Sequence, residues 1–411
     1  MTETRSVTDA HRPGAERPAF EFIVLVALLT SMVALSIDSM LPALGQMAAE
    51  LGAPHPNDRQ FILLGFFAGM TLGTLLFGPL SDALGRKPAI LAGLAFFAAG
   101  AALCIVAPSF PVLIAGRALQ GFGAAGPRIV SIAMVRDGAK GAAMARVMSF
   151  VMSVFMLVPM LAPSLGQLML MLSGWRSMFV LFIIMAALAA LWLTLRQRET
   201  LQPENRRPLA AATLAHGAWH FLSSPVSLGY TLASGALFGA FTCYLSTSQQ
   251  IFVEQYQQGR LYPLWFGALA LAMAISMQVN ARLVRHHPME RVSRLALAAS
   301  ILLSLVMVAV TLAAHGHPPL WVLAIYFFGL FFCNGLMFGN FNAMALEAMG
   351  HMAGLAAALS GTLSSFVAVV LGTLAGQSYD GTMTPLSLAF AGFSVLSWIA
   401  ARWAAAHRPV K

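Results

Sequence analysis

Charged residues are scarce in this chain of 411 residues: they make up 9% of it, whereas hydrophobic residues make up 59%. In soluble domains roughly a quarter of the residues are charged, because water must solvate most of the surface. A soluble protein of this length could not cover its core with so few charges. The composition therefore excludes an ordinary soluble domain and indicates that lipid surrounds much of the chain.

Cysteine is also rare. Cys104, Cys243 and Cys333 each lie inside an apolar run, where a thiol packs as a small hydrophobic side chain. They predict neither a disulfide framework nor a metal site, and we expect no cofactor. The sequence shows no convergent nucleophile and base, as a membrane enzyme would need. The loops are too short for the output domain that a membrane sensor would carry.

Long apolar runs dominate what is present. Runs of about 20 residues, enough to cross about 30 Å of hydrocarbon as helix, recur along the chain. They predict an all-α polytopic membrane protein with twelve transmembrane helices in two six-helix halves. The first run has no small-residue cleavage pattern behind it, so we expect a retained helix and not a signal peptide. The predicted spans are residues 20–42, 60–80, 88–108, 111–134, 145–171, 177–195, 226–249, 262–283, 293–314, 319–343, 352–377 and 385–404.

A polar stretch separates the two sets of spans. Basic loops follow the second predicted helix, at Gly85–Lys87, and the eighth, at Ala281–His287, which is a faint internal repeat. Two six-helix halves around a central pathway are typical of many secondary transporters. The predicted divisions are an N-terminal tail (1–19), an N-terminal bundle (20–195), a linker (196–222), a C-terminal bundle (223–404) and a C-terminal tail (405–411).

Lysine and arginine residues fall mostly on one side of the predicted spans. With the N-terminus in the cytoplasm, nineteen lie inside, and only Arg59, Arg176 and Arg260 lie outside. This bias predicts an inner-membrane protein with its tails and linker in the cytoplasm. It also accounts for the net charge of +9 without nucleic acid. The expected partners are the lipid bilayer, protons and a small-molecule substrate, and we expect a monomer.

The segment GPLSDALGRKP ends the second predicted helix. A plain positive-inside turn would not need Gly78, Asp82, Gly85 and Arg86 at these spacings. The segment resembles the signature loop of the major facilitator superfamily. That resemblance implies that Arg86 pairs with an acid at the cytoplasmic end of the fourth helix, where Asp137 lies. These residues are predicted to form a latch that keeps the cytoplasmic side closed.

Two further segments resemble motifs of the same superfamily. LIAGRALQGFGAA is similar to its fourth-helix motif and contains Arg117. APSLGQ in the fifth helix, with Pro163 and Gly166, resembles the GPxxGG motif of the antiporter branch, although Ala162 and Gln167 replace two of its glycines. A proline beside small residues also bends a helix and permits close packing.

A narrower resemblance comes from SIDSMLPAL (36–44), MVRD (134–137) and HMAGLAAALSGT (351–362). These segments are similar to the Bcr/CflA group of bacterial drug-resistance exporters. The resemblance implies proton-driven efflux of drug-like or metabolite compounds, energised by the proton gradient alone. The alternative is a proton symporter that imports a small organic nutrient, because the same fold serves both directions.

Ionisable side chains deep in the spans are candidates for function, because charge is costly in a bilayer. Asp38 and Arg117 both fall in the outer half of the membrane, and Asp38 is the predicted proton carrier. Loss of contact with Arg117 as the protein changes conformation would change its proton affinity. The alternative for Asp38 is a helix-end residue beside Pro42 that faces the outer interface.

Arg128 lies eleven residues beyond Arg117, almost three helical turns, so both project from one face with Gln120 between them. A cation there favours a substrate with an anionic group or carbonyl acceptors. The alternative is an arginine that extends toward the cytoplasmic interface. Gln120, Tyr244 and Asn334 are the predicted neutral substrate contacts, and interhelical hydrogen bonding is the alternative for each.

Overall fold

The fold is described from a computed structural model. It covers residues 20–139, 141–206, 211–347, 349 and 352–408. The predicted N-terminal tail, part of the predicted linker and the end of the C-terminal tail lie outside the described residues. These outlying segments are residues 1–19, 207–210 and 409–411.

In residues 20–139 and 141–196, the first part of the chain forms six long helices and one short one. These are α1 (Phe20–Asp38), the short α2 (Leu44–Glu50), α3 (Phe61–Leu84), α4 (Arg86–Ile105), α5 (Phe110–Gly138), α6 (Gly141–Ser173) and α7 (Arg176–Arg196). Two 3₁₀ turns, Leu41–Ala43 and Pro56–Gln60, flank α2. The first apolar run therefore ends in a helix stop at Asp38 and a turn through Pro42, and not in a continuous helix.

The second part again has six long helices, preceded by a short helix within the predicted linker. These are α8 (Ala211–Leu222), α9 (Pro225–Gln249), α10 (Tyr262–Leu283), α11 (Met289–Ala313), α12 (Leu320–Glu347), α13 (Ala353–Gln377) and α14 (Thr384–Ala406). A π-helical turn, Gln250–Gln255, continues α9 beyond its apolar run. No strand occurs in the described residues.

Eleven of the described helices are long and apolar enough to cross a membrane. The helix α5 is not among them, although its 29 residues exceed the length that spanning requires. It carries Arg117, Gln120 and Arg128, which lower its apolar content, and it packs inside the bundle against α1, α3 and α4. With α5, the long helices in the described part of the chain number twelve.

Close helix contacts hold α5 against α3. A Cβ added at Gly121 of α5 would lie 1.9 Å from the carbonyl oxygen of Phe66, and one at Gly69 of α3 would lie 1.9 Å from that of Ala118. Only glycine permits backbones to approach this closely. The approach brings the polar side chains of α5 against the backbone of α3.

The bundle has two chemically different ends. We call the end that carries Arg86, Arg136, Arg196 and Arg285 the basic end, and the end that carries Pro56–Gln60 the opposite end. Helices of the first half meet the second half where α3 packs on α13 and α6 packs on α10. Large apolar side chains on the outside of the bundle are exposed, as expected of a surface that lipid covers.

Candidate functional site

Arg117 is fully buried in α5 and is held by three hydrogen bonds. Its Nη1 donates to Oε1 of Gln120 at 2.6 Å, its Nε to the carbonyl of Ile62 at 3.1 Å, and its Nη2 to the carbonyl of Ser36 at 3.2 Å. Its guanidinium also lies 4.6 Å from the centre of the Phe66 ring. Carbonyl dipoles and an aromatic face therefore balance this charge, and Arg117 joins α5 to α1 and α3.

Asp38 ends α1, and its side chain is 5% exposed. It makes no hydrogen bond or ion pair within the described residues, but it lies close enough to Tyr244 of α9 and Tyr262 of α10 to interact with them electrostatically. Arg117 contacts the backbone of Ser36, two residues away, and not the Asp38 carboxylate. In this conformation Asp38 therefore faces the second half of the protein.

Arg128 lies on the same face of α5 as Arg117 and Gln120. Its Nη1 is 3.6 Å from the sulfur of Met70 on α3, and the described residues offer it no acid. One turn further along α5, Ser131 lies 3.4 Å from the Thr30 hydroxyl of α1, oxygen to oxygen. The face predicted from the spacing of these residues is thus turned toward α1 and α3, inside the bundle.

Several buried polar atoms have no hydrogen-bond partner in the described structure. They include the hydroxyl of Ser31 on α1, the Nε2 of Gln120 on α5, the hydroxyl of Tyr244 on α9, and both amide atoms of Asn334 on α12. Each such group costs about 1–3 kcal/mol if it stays unpaired. These are the first and fourth long helices of each half, so water or a ligand in the interior would have polar partners on all four.

Aromatic side chains line the interior, and one aromatic contact joins α3 of the first half to α9 of the second. The ring of Phe67 on α3 lies 6.0 Å from that of Phe238 on α9, which lies 5.9 Å from Phe338 on α12. Tyr244 packs at 4.7 Å against Phe331 of α12. The unpaired polar groups are therefore set in a largely aromatic interior.

At the basic end, the structure brings together the residues predicted to form a latch. The Nε of Arg86 donates to Asp137 at 2.8 Å, and its Nη1 forms an ion pair with Asp82. Gly85, with φ of 112°, turns the chain between α3 and α4 in a conformation that favours glycine. Gly78 lies within α3, not in the turn, and a Cβ there would meet nothing within 4 Å. The turn therefore requires Gly85, and packing does not require Gly78.

Sequence reasoning missed Glu199, which follows α7. Its carboxylate accepts hydrogen bonds from the backbone N–H groups of Arg86 at 3.0 Å and Lys87 at 3.1 Å, at the start of α4. It also accepts from Thr200 and Leu201. Burial raises the pKa of Glu199, but these backbone hydrogen bonds outweigh burial, and the pKa lies below its ordinary value. An acid at a helix N-terminus is the available sequence signal, but only the fold shows which helix it reaches.

The opposite end is closed by polar contacts between the two halves, which the sequence did not indicate. The Nη1 of Arg59 donates to Gln249 at 2.8 Å and forms an ion pair with Glu254. Gln60 donates to Gln250 at 2.9 Å. The π-helical turn after α9 supplies Gln250 and Glu254, and α9 itself ends with Gln249. Such turns are frequent at functional sites.

Asn57 completes this closed end. Its Nδ2 donates to the carbonyls of Gln377 at 3.1 Å and Tyr379 at 2.7 Å, beyond α13. Its Oδ1 accepts from Gln250 at 2.8 Å. The loop before α3 is thus tied to both α9 and α13, and the two halves are in contact at this end.

The segment resembling the antiporter motif packs beside Asp38. A Cβ added at Gly166 of α6 would lie 1.8 Å from the carbonyl oxygen of Ser39, so glycine allows α6 to approach the end of α1. Pro163 lies one turn earlier inside α6. The motif therefore determines how closely α6 approaches the chain at Asp38.

Comparisons with known proteins agree with this architecture. A sequence model of the Major Facilitator Superfamily matches residues 26–373. The chain is 30% identical over 380 residues to "Uncharacterized MFS-type transporter YdgK" of Bacillus subtilis (strain 168), with 92% of this chain and 93% of that one covered. It is 28% identical over 386 residues to "Bicyclomycin resistance protein homolog" of Haemophilus influenzae, with 94% and 96% covered.

A solved structure shows the same fold at lower identity. The crystal structure of the human organic anion transporter MFSD10 matches with a TM-score of 0.62 and 20% identity, covering 96% of this chain and 100% of that one. The predicted all-α polytopic fold and the predicted resemblances are confirmed. The chain therefore belongs to the major facilitator superfamily and is a multi-span membrane transporter and not an enzyme.

Proposed function

We propose that this transporter is a proton-coupled antiporter that exports drug-like or metabolite molecules across the inner membrane by alternating access. The observation that carries the proposal is Asp38, a buried carboxylate without a hydrogen-bond partner, set against Tyr244 and Tyr262 of the other half. The similarity to the bicyclomycin resistance protein homolog of Haemophilus influenzae supports export. Bicyclomycin is accordingly a first candidate substrate.

The basic end faces the cytoplasm in this proposal, together with both termini and the linker. Arginines concentrated in loops at one end favour that orientation. The two halves, residues 20–195 and 223–404, act as the bodies that rock against each other, with the interior of α1, α5, α9 and α12 as the pathway. The chain works as a monomer and uses the proton gradient without a cofactor.

Coupling depends on how the surroundings of Asp38 change between the two states. With the opposite end closed, Asp38 lies within electrostatic reach of Tyr244 and Tyr262 of the second half. When the halves separate at that end, Asp38 loses these neighbours and meets external water, so its proton affinity changes with the conformation. Arg117 positions α1 through the Ser36 carbonyl and so sets where Asp38 stands.

Inverted membrane vesicles with an acidified lumen provide the test. An antiporter takes up radiolabelled bicyclomycin, or a substrate found by a resistance screen, and a protonophore abolishes the uptake. Asp38→Asn is expected to abolish uphill uptake while the protein still inserts. Glu204→Gln, at an exposed carboxylate in the linker, is the matched control.

Two outcomes would overturn the proposal. Uphill uptake at the normal rate by Asp38→Asn would remove Asp38 from the coupling mechanism. Loss of preloaded substrate from the vesicles, driven by the same acid lumen, would indicate a symporter that imports its substrate.

A further inference from the structure

Arg128 is a partly buried cation without a counter-charge among the described residues. Its neighbour in the structure is the thioether of Met70, at 3.6 Å, which is a weak acceptor. By contrast, Arg117 has two backbone carbonyls, an amide oxygen and an aromatic ring, and Arg86 has two carboxylates. Arginine does not give up its proton in proteins, so the charge of Arg128 needs a balancing group.

The side chain of Arg128 points into the bundle and not toward the basic end. Arg128 lies ten residues before the end of α5, about 15 Å from it, whereas Met70 lies fourteen residues before the end of α3, about 21 Å from it. The guanidinium thus reaches toward the middle of the bundle. An arginine extending to the headgroup region would point the other way.

The surface beside Arg128 belongs to the meeting place of the two halves. Phe67 lies one turn before Met70 on α3, and its ring contacts Phe238 of α9 at 6.0 Å. Phe238 in turn contacts Phe338 of α12 at 5.9 Å. Residues three and four apart share a helix face, so Met70, the neighbour of Arg128, lies on the face of α3 that carries Phe67.

The second half offers this region aromatic surface and neutral polarity. Asn334 lies one turn before Phe338 on α12, and both atoms of its amide are buried without a partner. Asp38 cannot serve as the counter-ion in this state, because it faces Tyr244 and Tyr262 and has no electrostatic interaction with Arg128. Among the described residues, the missing negative charge is not supplied by the protein.

We propose that Arg128 binds a carboxylate of the transported substrate, and that the substrate is an amphipathic organic anion whose aromatic part packs on Phe67, Phe238 and Phe338. The planar guanidinium can hold a carboxylate through two parallel hydrogen bonds. Aromatic rings supply a large apolar contact surface, and Asn334 hydrogen-bonds to a neutral polar group of the substrate. This inference rests on the proposed transport function and specifies its substrate class.

Equilibrium binding to the purified protein in lipid nanodiscs tests the inference, with a naphthoate and its neutral naphthamide as matched probes. Wild type is expected to bind the carboxylate about tenfold more tightly than the amide, as one charge-assisted hydrogen-bonded contact implies. Arg128→Gln should remove that preference and leave amide binding unchanged. Arg128→Lys should keep only part of it, because the planar fork is lost.

The control is Arg136→Gln, an exposed arginine two turns further along the same helix, which should keep the full preference. Equal wild-type affinity for the two probes would overturn the inference even if Arg128→Gln failed to fold. An equal loss for both probes in Arg128→Gln would also overturn it. The binding measurement uses no proton gradient, so the preference for the carboxylate can be found even if the protein proves not to be proton-coupled. Conversely, a protein that exports its substrate with protons but shows no such preference would refute the inference about Arg128 and leave the proposed function intact.

Discussion

Asp38 and Arg117 are both buried ionisable residues, but they differ in the number of hydrogen bonds they make. Arg117 satisfies three of its N–H groups and stacks on Phe66, whereas Asp38 has no hydrogen-bond partner in the described residues. The arginine therefore contributes to the packing of α1, α3 and α5. The carboxylate contributes nothing comparable, which is expected of a group retained for chemistry.

This contrast predicts opposite effects on stability. Arg117→Ala should lower the free energy of unfolding by at least about 2 kcal/mol, since it leaves the carbonyls of Ser36 and Ile62 and the amide of Gln120 without their donor. Asp38→Asn should leave stability nearly unchanged, because an amide of nearly the same size replaces a buried carboxyl group that has no hydrogen-bond partner among the described residues. Thermal unfolding of the two variants in detergent measures both effects. An equal drop for both would mean that Asp38 has a stabilising partner.

The position of the helix α4 depends on contacts between its first residues and the segment that follows α7. Glu199 accepts N–H bonds from Arg86 and Lys87, and the ammonium of Lys87 donates to the carbonyls of Thr194 at 2.9 Å and Gln197 at 3.0 Å. The end of α7 and the linker are thereby held against the turn that carries Arg86. Movement of the linker would therefore change the position of Arg86 relative to Asp137.

Glu199→Gln is expected to loosen this contact, because a neutral amide replaces a carboxylate at a helix N-terminus. Limited trypsin digestion should cut after Arg198 or Arg206 several times faster in this variant than in wild type. Glu204→Gln, in the same linker but exposed, should be cut at the wild-type rate. Equal rates in all three proteins would show that Glu199 does not hold the linker.

The same contact predicts a pH dependence with a definite sign. The folded pKa of Glu199 lies below its ordinary value of 4.5, so the carboxylate stabilises the docked linker above that value. Stabilisation is lost as the pH falls through the lowered folded pKa. Protection of the linker amides from hydrogen exchange should therefore stay constant from about pH 8 to about pH 6 and fall only under acidic conditions. A loss of protection near neutrality would contradict this assignment.

The two halves of the molecule are joined at the opposite end mainly by hydrogen bonds between polar groups. Gln60 meets Gln250, Arg59 meets Gln249, and Asn57 meets backbone carbonyls beyond α13. Polar contacts of this kind lose little when water replaces them, because each hydrogen bond is worth about 1 kcal/mol net. An end closed in this way is suited to opening and closing repeatedly.

A cross-link across this end should therefore stop transport. The double variant Gln60→Cys, Gln250→Cys should lose substrate uptake when a short reagent joins the two thiols through disulfide bonds. Uptake should return when reduction breaks these bonds. A pair within the second half, Gln255→Cys with His317→Cys, also in hydrogen-bond contact, should transport normally when joined. Normal transport by the first joined pair would show that this end does not open during the cycle.

The class of protein, its helical spans and its family could all be predicted from the amino-acid sequence. Those features depend on local properties: the length of apolar runs, the scarcity of charge, and motifs such as GPLSDALGRKP whose residues act within a few turns. The grouping of Arg86 with Asp82 could be predicted for the same reason, since they are four residues apart. The apolar run at 111–134 also predicted α5, although the polar side chains of this helix lower its apolar content.

The contacts between groups far apart along the chain became visible only in the folded protein. It turned Asp38 toward Tyr244 and not toward Arg117, and it placed Glu199 at the start of α4. It also brought Arg59 against Gln249, 190 residues away in sequence. Helix packing decides which polar groups come within hydrogen-bond distance of each other. The glycine contacts that set this packing join helices that are far apart along the chain.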